Sequence, residues 1–363
     1  MNDAEAAADR AVADARRICA VEAPPFAEGP RGELVAALLA EAGAPVVDTD
    51  AVGNVIARFG PGDAPPVVFA AHLDTVFAAG TEIAFRRDGD RLAAPGIGDN
   101  ALGVAALLHL ARHLRDHPPR RPLWLVATVG EEGLGDLRGA KALVAEHAPA
   151  AFVAVEGTML DAIAVGAVGS LRFRVTVLGP GGHSWADRGA PSAVHALVAM
   201  LAAALDALPT DRDDVAFNVG TIEGGTTVNA IAAEASAVID LRCGDDADLR
   251  ALADDLRRAL RADGVAVEVE QLGHRPGGAL AAGHPLPACA RRARERAGLP
   301  VALETASSTD ANAAYGAGVP AITVGVSTGG NAHRLDEYLD LPPIAGGLRA
   351  LTALADEIDA TDF

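Results

Sequence analysis

Histidines and acidic residues follow the ends of several apolar, strand-like runs in this sequence. These side chains all belong to types that bind metal ions, namely His72, Asp74, Asp99, Glu131, Glu132, Glu156 and His333. Imidazoles and carboxylates together are suitable ligands for borderline-hard divalent cations. One such residue is usually only a satisfied polar group, but this many at successive strand ends indicate a common site. The sequence therefore predicts a centre for two divalent ions.

The elements that would position these residues alternate between strands and helices. In the first half we predict strands over 46–60, 67–71 and 123–129, and helices over 5–20, 31–43, 100–113 and 139–147. Such alternation is typical of a parallel or mixed sheet whose functional loops leave the carboxyl ends of the strands.

The pattern changes in the middle of the chain. The segment "GSLRFRVTVLG" alternates apolar and polar residues, as a half-exposed strand does. A helix, two strands, a second helix and a final strand follow, in the order of a ferredoxin-like unit. We therefore predict an α/β fold with a mixed-sheet catalytic domain over 1–167 plus 280–363. An α+β domain would be inserted over 168–279.

Composition excludes several classes of protein. The 363 residues carry a net charge of −19, which argues against a nucleic-acid partner because phosphates require basic surfaces. We find no apolar run long enough to span a bilayer and no signal-peptide core, so no membrane partner is expected. The three cysteines are far apart in sequence and fit a reducing compartment. A cytoplasmic location is the expectation.

A resemblance to a known family extends over nearly the whole chain. The segments that carry it are "HLDT", "GIGDNALG", "GEEGLGD", "VEGT", "GPGGHS", "GGTTVNAIAAEASAVIDLR", "STDANAA" and "NAHRLDEY". In this order they resemble the motifs of the M20 family of di-zinc peptidases and amidohydrolases. That family includes peptidase T-like aminopeptidases, glutamate carboxypeptidases, and acetylornithine and succinyl-diaminopimelate deacylases. The resemblance implies a di-zinc exopeptidase-type catalytic domain and a small inserted domain that serves as lid and dimer interface.

The resemblance also implies a set of metal ligands. Asp99 would bridge the two metals through its two carboxylate oxygens. His72 and Glu132 would bind one metal each, with Glu156 completing the site of His72 and His333 that of Glu132.

The adjacent glutamates would then have different tasks. Consecutive residues leaving a strand point in different directions, so both can hardly bind one ion. Glu132 would bind a metal, and Glu131 would be the general base for the attacking water. Asp74 would accept the N–H of the His72 imidazole and fix its orientation. In the family the peptide bond after the bridging aspartate tends to be cis, which here would be Asp99–Asn100.

The inserted domain would supply further groups by the same resemblance. His183 in "GPGGHS" would polarise the scissile carbonyl, in the family from the partner subunit, which implies a homodimer through this domain. Asn229 and Arg242 match positions that hold the substrate, and Arg242 suits a carboxylate. The alternative for Arg242 is a surface strand arginine.

The sequence supports two interpretations of the substrate class. Within the family, the position of Glu156 tends to hold glutamate in deacylases and carboxypeptidases and aspartate in aminopeptidases, so the resemblance favours an N-acyl amino acid deacylase or a carboxypeptidase. In contrast, "HLDTVF" and the segment around Trp185 resemble peptidase T-like aminopeptidases. In either case the partner would be a small molecule or short peptide. An alternative of another class is a catalytically inactive, M20-like binding protein, which predicts a damaged ligand set.

Three other patterns could suggest different functions. "GIGDNA" fits a dinucleotide fingerprint, but Asp99 inside it would repel a pyrophosphate. "GVSTG" fits a serine-hydrolase elbow around Ser327, but no helix follows it. His109, His113 and His117 share one helix face and could chelate a metal, although a solvated face is the simpler interpretation.

Overall fold

The computed structural model describes residues 3–362. The chain divides into two compact units, of which the first joins the residues up to Ala167 to those from Ala279 onward, and the second is Val168–Gly278. Within residues 3–362, no helix combines the length and the apolar character that crossing a bilayer would require. The three cysteines are free and buried.

The chain forms nine helices within its described part. In chain order they are α1 (Asp3–Cys19), α2 (Gly29–Glu41), α3 (Leu102–Asp116), α4 (Arg138–His147), α5 (Ala193–Ala207), α6 (Asp246–Ala259), α7 (Pro285–Arg296), α8 (Ala311–Gly316) and α9 (Ile344–Asp359). Two single turns, Ile97–Ala101 and Gly133–Gly135, precede α3 and α4.

The strands of residues 3–362 are numbered in the same way. They are β1 (Val46–Thr49), β2 (Val55–Phe59), β3 (Val67–His72), β4 (Arg86–Asp88), β5 (Arg91–Ala93), β6 (Leu123–Thr128), β7 (Ala151–Glu156), β8 (Ala162–Ala167), β9 (Gly169–Leu178), β10 (Gly182–His183), β11 (Val215–Gly224), β12 (Ala230–Ile231), β13 (Glu234–Cys243), β14 (Ala266–Arg275), β15 (Gly278–Ala279), β16 (Leu303–Ser307), β17 (Ala321–Gly325), β18 (Gly329–Gly330) and β19 (Tyr338–Asp340).

The first unit is built on a mixed sheet with the order β1-β2-β6-β3-β7-β17-β8, in agreement with the predicted fold class. β3 runs parallel to both β6 and β7, and β7 runs parallel to β17. All six residues of β3 are buried, as expected for a central parallel strand with both faces covered. The carboxyl ends of β3, β6 and β7 therefore lie side by side.

Helices cover both faces of this sheet. Alternate residues of a strand point to opposite faces, so Phe69 packs into the cluster formed with α1, α3 and α9. Val68 and Phe152 point the other way and pack with residues of α4 and α8. A second, small sheet of order β18-β19-β5-β4 lies within the same unit and pairs Tyr338 with Ala93.

The single strand predicted over 46–60 is wrong. The structure has two antiparallel strands there, β1 and β2, joined by a turn. The Asp50 carboxylate accepts the backbone N–H groups of Val52, Gly53 and Asn54, and Gly53 has a φ of 102° that suits glycine. The turn-forming residue types Asp50, Gly53 and Asn54 between the two strands are the sequence signal for this reversal of the chain.

The second unit has a four-stranded antiparallel sheet of order β11-β13-β9-β14. Its elements follow one another as β9-α5-β11-β13-α6-β14, apart from the short pair β10 and β12. Inward-facing residues of β9 and β13, such as Phe173 and Ile239, pack against α5 and α6 and form a core of their own. Outward-facing residues of β13 are less buried than inward-facing ones. Burial along the strand therefore alternates with a period of two, as expected for a sheet covered on one face.

Candidate metal centre and active site

His72 is the last residue of β3 and is almost fully buried, with 3% of its surface exposed. Its Nε2 lies 3.0 Å from Asp99 Oδ1 and 3.8 Å from Glu156 Oε2, at the end of β7. Burial alone would lower the pKa of His72, but the hydrogen bond with Asp99 and the nearby carboxylate charges raise it well above its usual value. The ring is therefore aimed into a cluster of negative charge.

Asp99 lies at the centre of this cluster. Its Oδ1 faces His72, and its Oδ2 lies 3.0 Å from Nε2 of His333. Burial opposes ionisation, yet hydrogen bonds from His333 and His72 outweigh it and hold the pKa of Asp99 below its usual range. The Asp99–Asn100 peptide bond is cis, as the resemblance implied. A carboxylate with one imidazole on each oxygen has the arrangement that a bridging ligand requires.

Glu132 and His333 complete the other side of Asp99. The His333 Nε2 lies 3.1 Å from Glu132 Oε1, and hydrogen bonds with Asp99 and Glu132 raise the pKa of His333 to about 10. Ligand atoms of His72, Asp99 and Glu132 all lie within 4.8 Å of one another. The structure thus brings together all five side chains predicted to bind metal, since Glu156 approaches from the side of His72.

Asp74 makes different bonds from those predicted. The His72 Nδ1 lies 3.0 Å from the backbone carbonyl oxygen of Asp74 and 3.7 Å from its carboxylate. The fully buried carboxylate instead accepts the backbone N–H of Glu131 at 2.9 Å and that of Glu132 at 2.8 Å. The expected bond from the imidazole to the carboxylate is therefore wrong. Asp74 orients His72 through its main chain and fixes the two glutamates through its side chain.

Glu131 and Glu132 face different groups, although both are nearly buried. The Glu132 carboxylate contacts His333, as described above. Burial raises the pKa values of Asp74, Glu156 and Asp310, and the charge of Glu131 raises them further, so its carboxylate is near enough to act on all three. Two neighbouring acids that act on different partners can perform two different tasks.

Sequence reasoning gave no site role to Asn100 and treated Asp310 as structural. The Asn100 side chain donates to the backbone carbonyl of Val155 and accepts the N–H of Gly157, so it ties the Asp99 turn to the end of β7. Asp310 accepts a hydrogen bond from the Thr128 hydroxyl, and burial followed by the charge of Glu131 raises its pKa to about 7. Asn100 lies in "GIGDNALG" and Asp310 in "STDANAA", and these positions within the family-like segments were the sequence signal for a role at the site.

The remaining predicted residues belong to the second unit. Nδ1 of His183 accepts the backbone N–H groups of Trp185 at 3.1 Å and Ala186 at 3.2 Å, which leaves the ring proton on Nε2. Pairing of β10 with β12 brings His183 beside Asn229, whose carbonyl accepts the N–H of Ser184. His183 and Asn229 are thus neighbours within this unit.

Arg242 has a partner within its own strand. Its Nε donates to Asp240 Oδ2 at 2.7 Å, and its side chain is 38% exposed. This geometry is that of a surface strand arginine, so a role in holding substrate stays a prediction.

Two of the competing patterns, the one around Ser327 and the row of histidines, lack the geometry of a site. Ser327 is buried and its hydroxyl donates to the Asp340 backbone carbonyl at 2.6 Å, so it is not a free nucleophile. His113 contacts Asp356 at 2.9 Å and stacks on His117. Within residues 3–362, the histidines of α3 do not belong to any group whose ligand atoms converge as those of a metal site do.

Comparison with known proteins finds matches to one family of peptidases. The model of the family "Peptidase family M20/M25/M40" matches residues 68–357. A peptidase M20 domain-containing protein of Schizosaccharomyces pombe is 31% identical over 211 residues, which are 56% of this chain and 51% of that protein. A succinyl-diaminopimelate desuccinylase of Methylobacterium sp. is 30% identical over 241 residues, 59% of each chain. The chain thus spans about half the length of the curated relatives it matches.

A solved structure shares the fold over the whole chain. The crystal structure of aminopeptidase PepT from Bacillus cereus superposes with a TM-score of 0.77 at 22% identity, and the match covers 98% of this chain and 99% of that one. At this level of identity the likeness concerns the fold.

Proposed function

The chain belongs to peptidase family M20/M25/M40, and we propose that it is a metal-dependent hydrolase that cleaves an amide bond of an N-acyl amino acid or small peptide. The observation that carries this proposal is the Asp99 carboxylate, whose two oxygens each lie 3.0 Å from an imidazole. With Glu132 and Glu156 beside it, this donor set of three carboxylates and two imidazoles fits two divalent ions.

The distances between the side chains suggest how the ligands would be divided between the two ions. His72 and Glu156 would hold one ion, Glu132 and His333 the other, and Asp99 both. Two such ions, with zinc proposed and cobalt or manganese as alternatives, would lower the pKa of a water molecule and polarise the scissile carbonyl.

The proton transfers would fall to Glu131. The water oxygen bonds to the carbonyl carbon while Glu131 accepts its proton, and Glu131 then returns that proton to the nitrogen as the C–N bond breaks. Asp74 keeps the glutamate in place through its bond to the Glu131 backbone N–H. As in the family, where this histidine reaches the active site of the partner subunit, the Nε2–H of His183 would donate to the carbonyl oxygen as negative charge develops there.

For the substrate we propose an N-acyl amino acid or a carboxypeptidase-type peptide. Glu156 supports this choice, and the desuccinylase relative is consistent with it. A peptidase T-like aminopeptidase is the second candidate, favoured by "HLDTVF" and the segment around Trp185. A binding protein without catalysis is disfavoured because all five ligand positions and the base are occupied by suitable residues.

The test is a panel of N-acyl amino acids and dipeptides, assayed with wild type and with Glu131→Gln. We expect the variant to retain its metals and to lose roughly 10²- to 10⁴-fold in turnover, the usual contribution of a general base. Glu146→Gln, an exposed glutamate of α4, is the matched control and should behave as wild type. Unchanged turnover of Glu131→Gln would refute the assigned base.

We also propose that the chain forms a homodimer through the second unit and is located in the cytoplasm. Val198 and Leu205 of α5 and Ile222 of the edge strand β11 are more than half exposed, although apolar, which supports an interface there. Leu205→Glu should then give the monomer mass in light scattering, whereas Val301→Glu, an exposed apolar control in the first unit, should leave the dimer intact. Equal masses for Leu205→Glu and wild type would contradict this interface.

A further inference from the structure

A single buried glutamate joins the two loops that carry Asp99 and His333. Glu337 is 2% exposed and directly precedes β19. Its Oε1 accepts the backbone N–H of Gly98 at 2.7 Å and that of Asp99 at 2.9 Å, and its Oε2 accepts that of Gly96 at 3.3 Å. These three donors all belong to the turn that presents Asp99.

The main chain of Glu337 adds further links. Its carbonyl accepts the N–H of Ala94, just before the Asp99 turn, and its own N–H donates to the carbonyl of Arg334, next to His333. One residue therefore fixes the approach to Asp99 and the loop of His333 together. The pairing of β19 with β5 brings the two chain segments side by side.

The turn around Asp99 is held from both sides. Asn100 binds the end of β7 on one side, and the Glu337 carboxylate covers the backbone on the other. The approach is close, because a Cβ placed on Gly98 would lie 3.3 Å from Glu337 Oε1 and 3.0 Å from a Thr158 methyl. Buried backbone N–H groups need acceptors, and the two oxygens of this one carboxyl group accept from all three.

From this geometry we infer that Glu337 is a positioning residue for the metal centre, which holds Asp99 where each of its oxygens faces one imidazole. The inference rests on the proposed function, since it assigns a role around the proposed ligands. Glu337 makes its bonds to the backbone of the Asp99 turn and of the His333 loop, so its effect on metal binding would be exerted through Asp99 and His333. Side chains that orient ligands in this way commonly change metal affinity or activity by about 10- to 100-fold.

Glu337→Gln is the informative substitution because it keeps the shape of the side chain. Its amide oxygen can still accept from Gly98 and Asp99, but its NH2 group then faces the Gly96 N–H, donor against donor. Asp14→Asn is the matched control. Asp14 is a buried carboxylate of α1 that binds Arg112 at 2.8 Å, in a helix pair that carries none of the proposed ligands.

The experiment measures Co²⁺ and Zn²⁺ affinity of the full chain by competition with a chromophoric chelator, together with the visible absorption of the Co²⁺ form. We expect Glu337→Gln to bind roughly tenfold or more weakly and to show an altered Co²⁺ spectrum. Asp14→Asn should keep both the affinity and the spectrum of wild type, whatever its thermal stability.

The possible outcomes separate the two proposals. If wild type binds metal and Glu337→Gln has the same affinity and spectrum, the positioning role is refuted while the proposed function stands. If Asp14→Asn weakens binding as much as Glu337→Gln does, the effect is a general loss of stability and the inference also fails. If wild type binds no metal, the proposed function itself fails.

Discussion

Replacement of Asp74 by asparagine should separate stability from function. The Asp74 carboxylate accepts the Glu131 N–H with one oxygen and the Glu132 N–H with the other, at 2.9 and 2.8 Å. Asparagine keeps one acceptor oxygen, and its NH2 group meets the second N–H as donor against donor. The substitution changes few atoms, yet it acts on the backbone of both glutamates.

The expected loss of stability is modest. A hydrogen bond to a charged group contributes about 1.5–3 kcal/mol. Against this, burial raises the pKa of Asp74, so the folded chain already bears a cost for that charge, which asparagine removes. We therefore expect the free energy of unfolding of the metal-free chain to fall by less than about 3 kcal/mol. Turnover should fall roughly 10²-fold, because a displacement of ~1 Å at reacting groups has that effect.

Urea unfolding of the metal-free chain and kcat on the best substrate of the panel measure the two quantities. Asp50→Asn is the matched control, in the turn between β1 and β2. Asp50 Oδ1 accepts backbone N–H groups, and its Oδ2 accepts the Asn54 side-chain NH2 at 2.7 Å, which the new amide NH2 would meet as donor against donor. It should lose stability to a similar extent and retain kcat. Wild-type kcat in Asp74→Asn, or an equal loss of kcat in Asp50→Asn, would refute the reasoning.

Two further predictions concern packing and pH. In Gly103→Ala the new Cβ would lie 2.0 Å from the Asn100 Oδ1, so Asn100 must move, and we expect weaker metal binding in chelator competition along with a loss of about 1–3 kcal/mol in unfolding free energy. Binding equal to wild type would contradict this. Burial lowers the pKa of His109 from 6.5 to about 4, so the folded state favours the neutral ring. Above pH 6.5 the ring is neutral in both the folded and the unfolded chain, so the free energy of unfolding is unaffected. As the pH falls from 6.5 toward 4, the unfolded chain binds the proton first, and the free energy of unfolding decreases by up to about 3 kcal/mol. His109→Gln should flatten the dependence of urea unfolding on pH in that window, and an unchanged slope would show the assignment to be wrong.

The central strands could be predicted from the sequence because burial on both faces leaves a simple signal. "VVFAA" and "LWLVAT" are nearly continuous apolar runs, and each is followed by polar residues where the strand ends. Parallel pairing places those ends together, so residues 60 positions apart, His72 and Glu132, could be expected at one site. The mixed sheet of the predicted fold class follows from the same pattern and is confirmed.

The details of the loops could not be predicted in this way. Whether the imidazole of His72 meets the side chain or the main chain of Asp74 depends on torsion angles, which residue types do not determine. Glu337 has the appearance of an ordinary acid in "HRLDEY", and its contacts with the Asp99 turn exist only because β19 pairs with β5. The turn at Asp50 depends on one carboxylate accepting three backbone N–H groups, a set of contacts that a single strand over 46–60 does not allow for.

Metal stoichiometry tests the central claim most directly. Purified chain, reconstituted with zinc and freed of excess, should contain two ions per chain by elemental analysis, and Glu132→Ala should contain fewer because one of the proposed sites loses a ligand. Glu146→Gln should retain the wild-type content. Less than one ion per wild-type chain, or a content that Glu132→Ala leaves unchanged, would contradict the assignment of a two-metal centre to these residues.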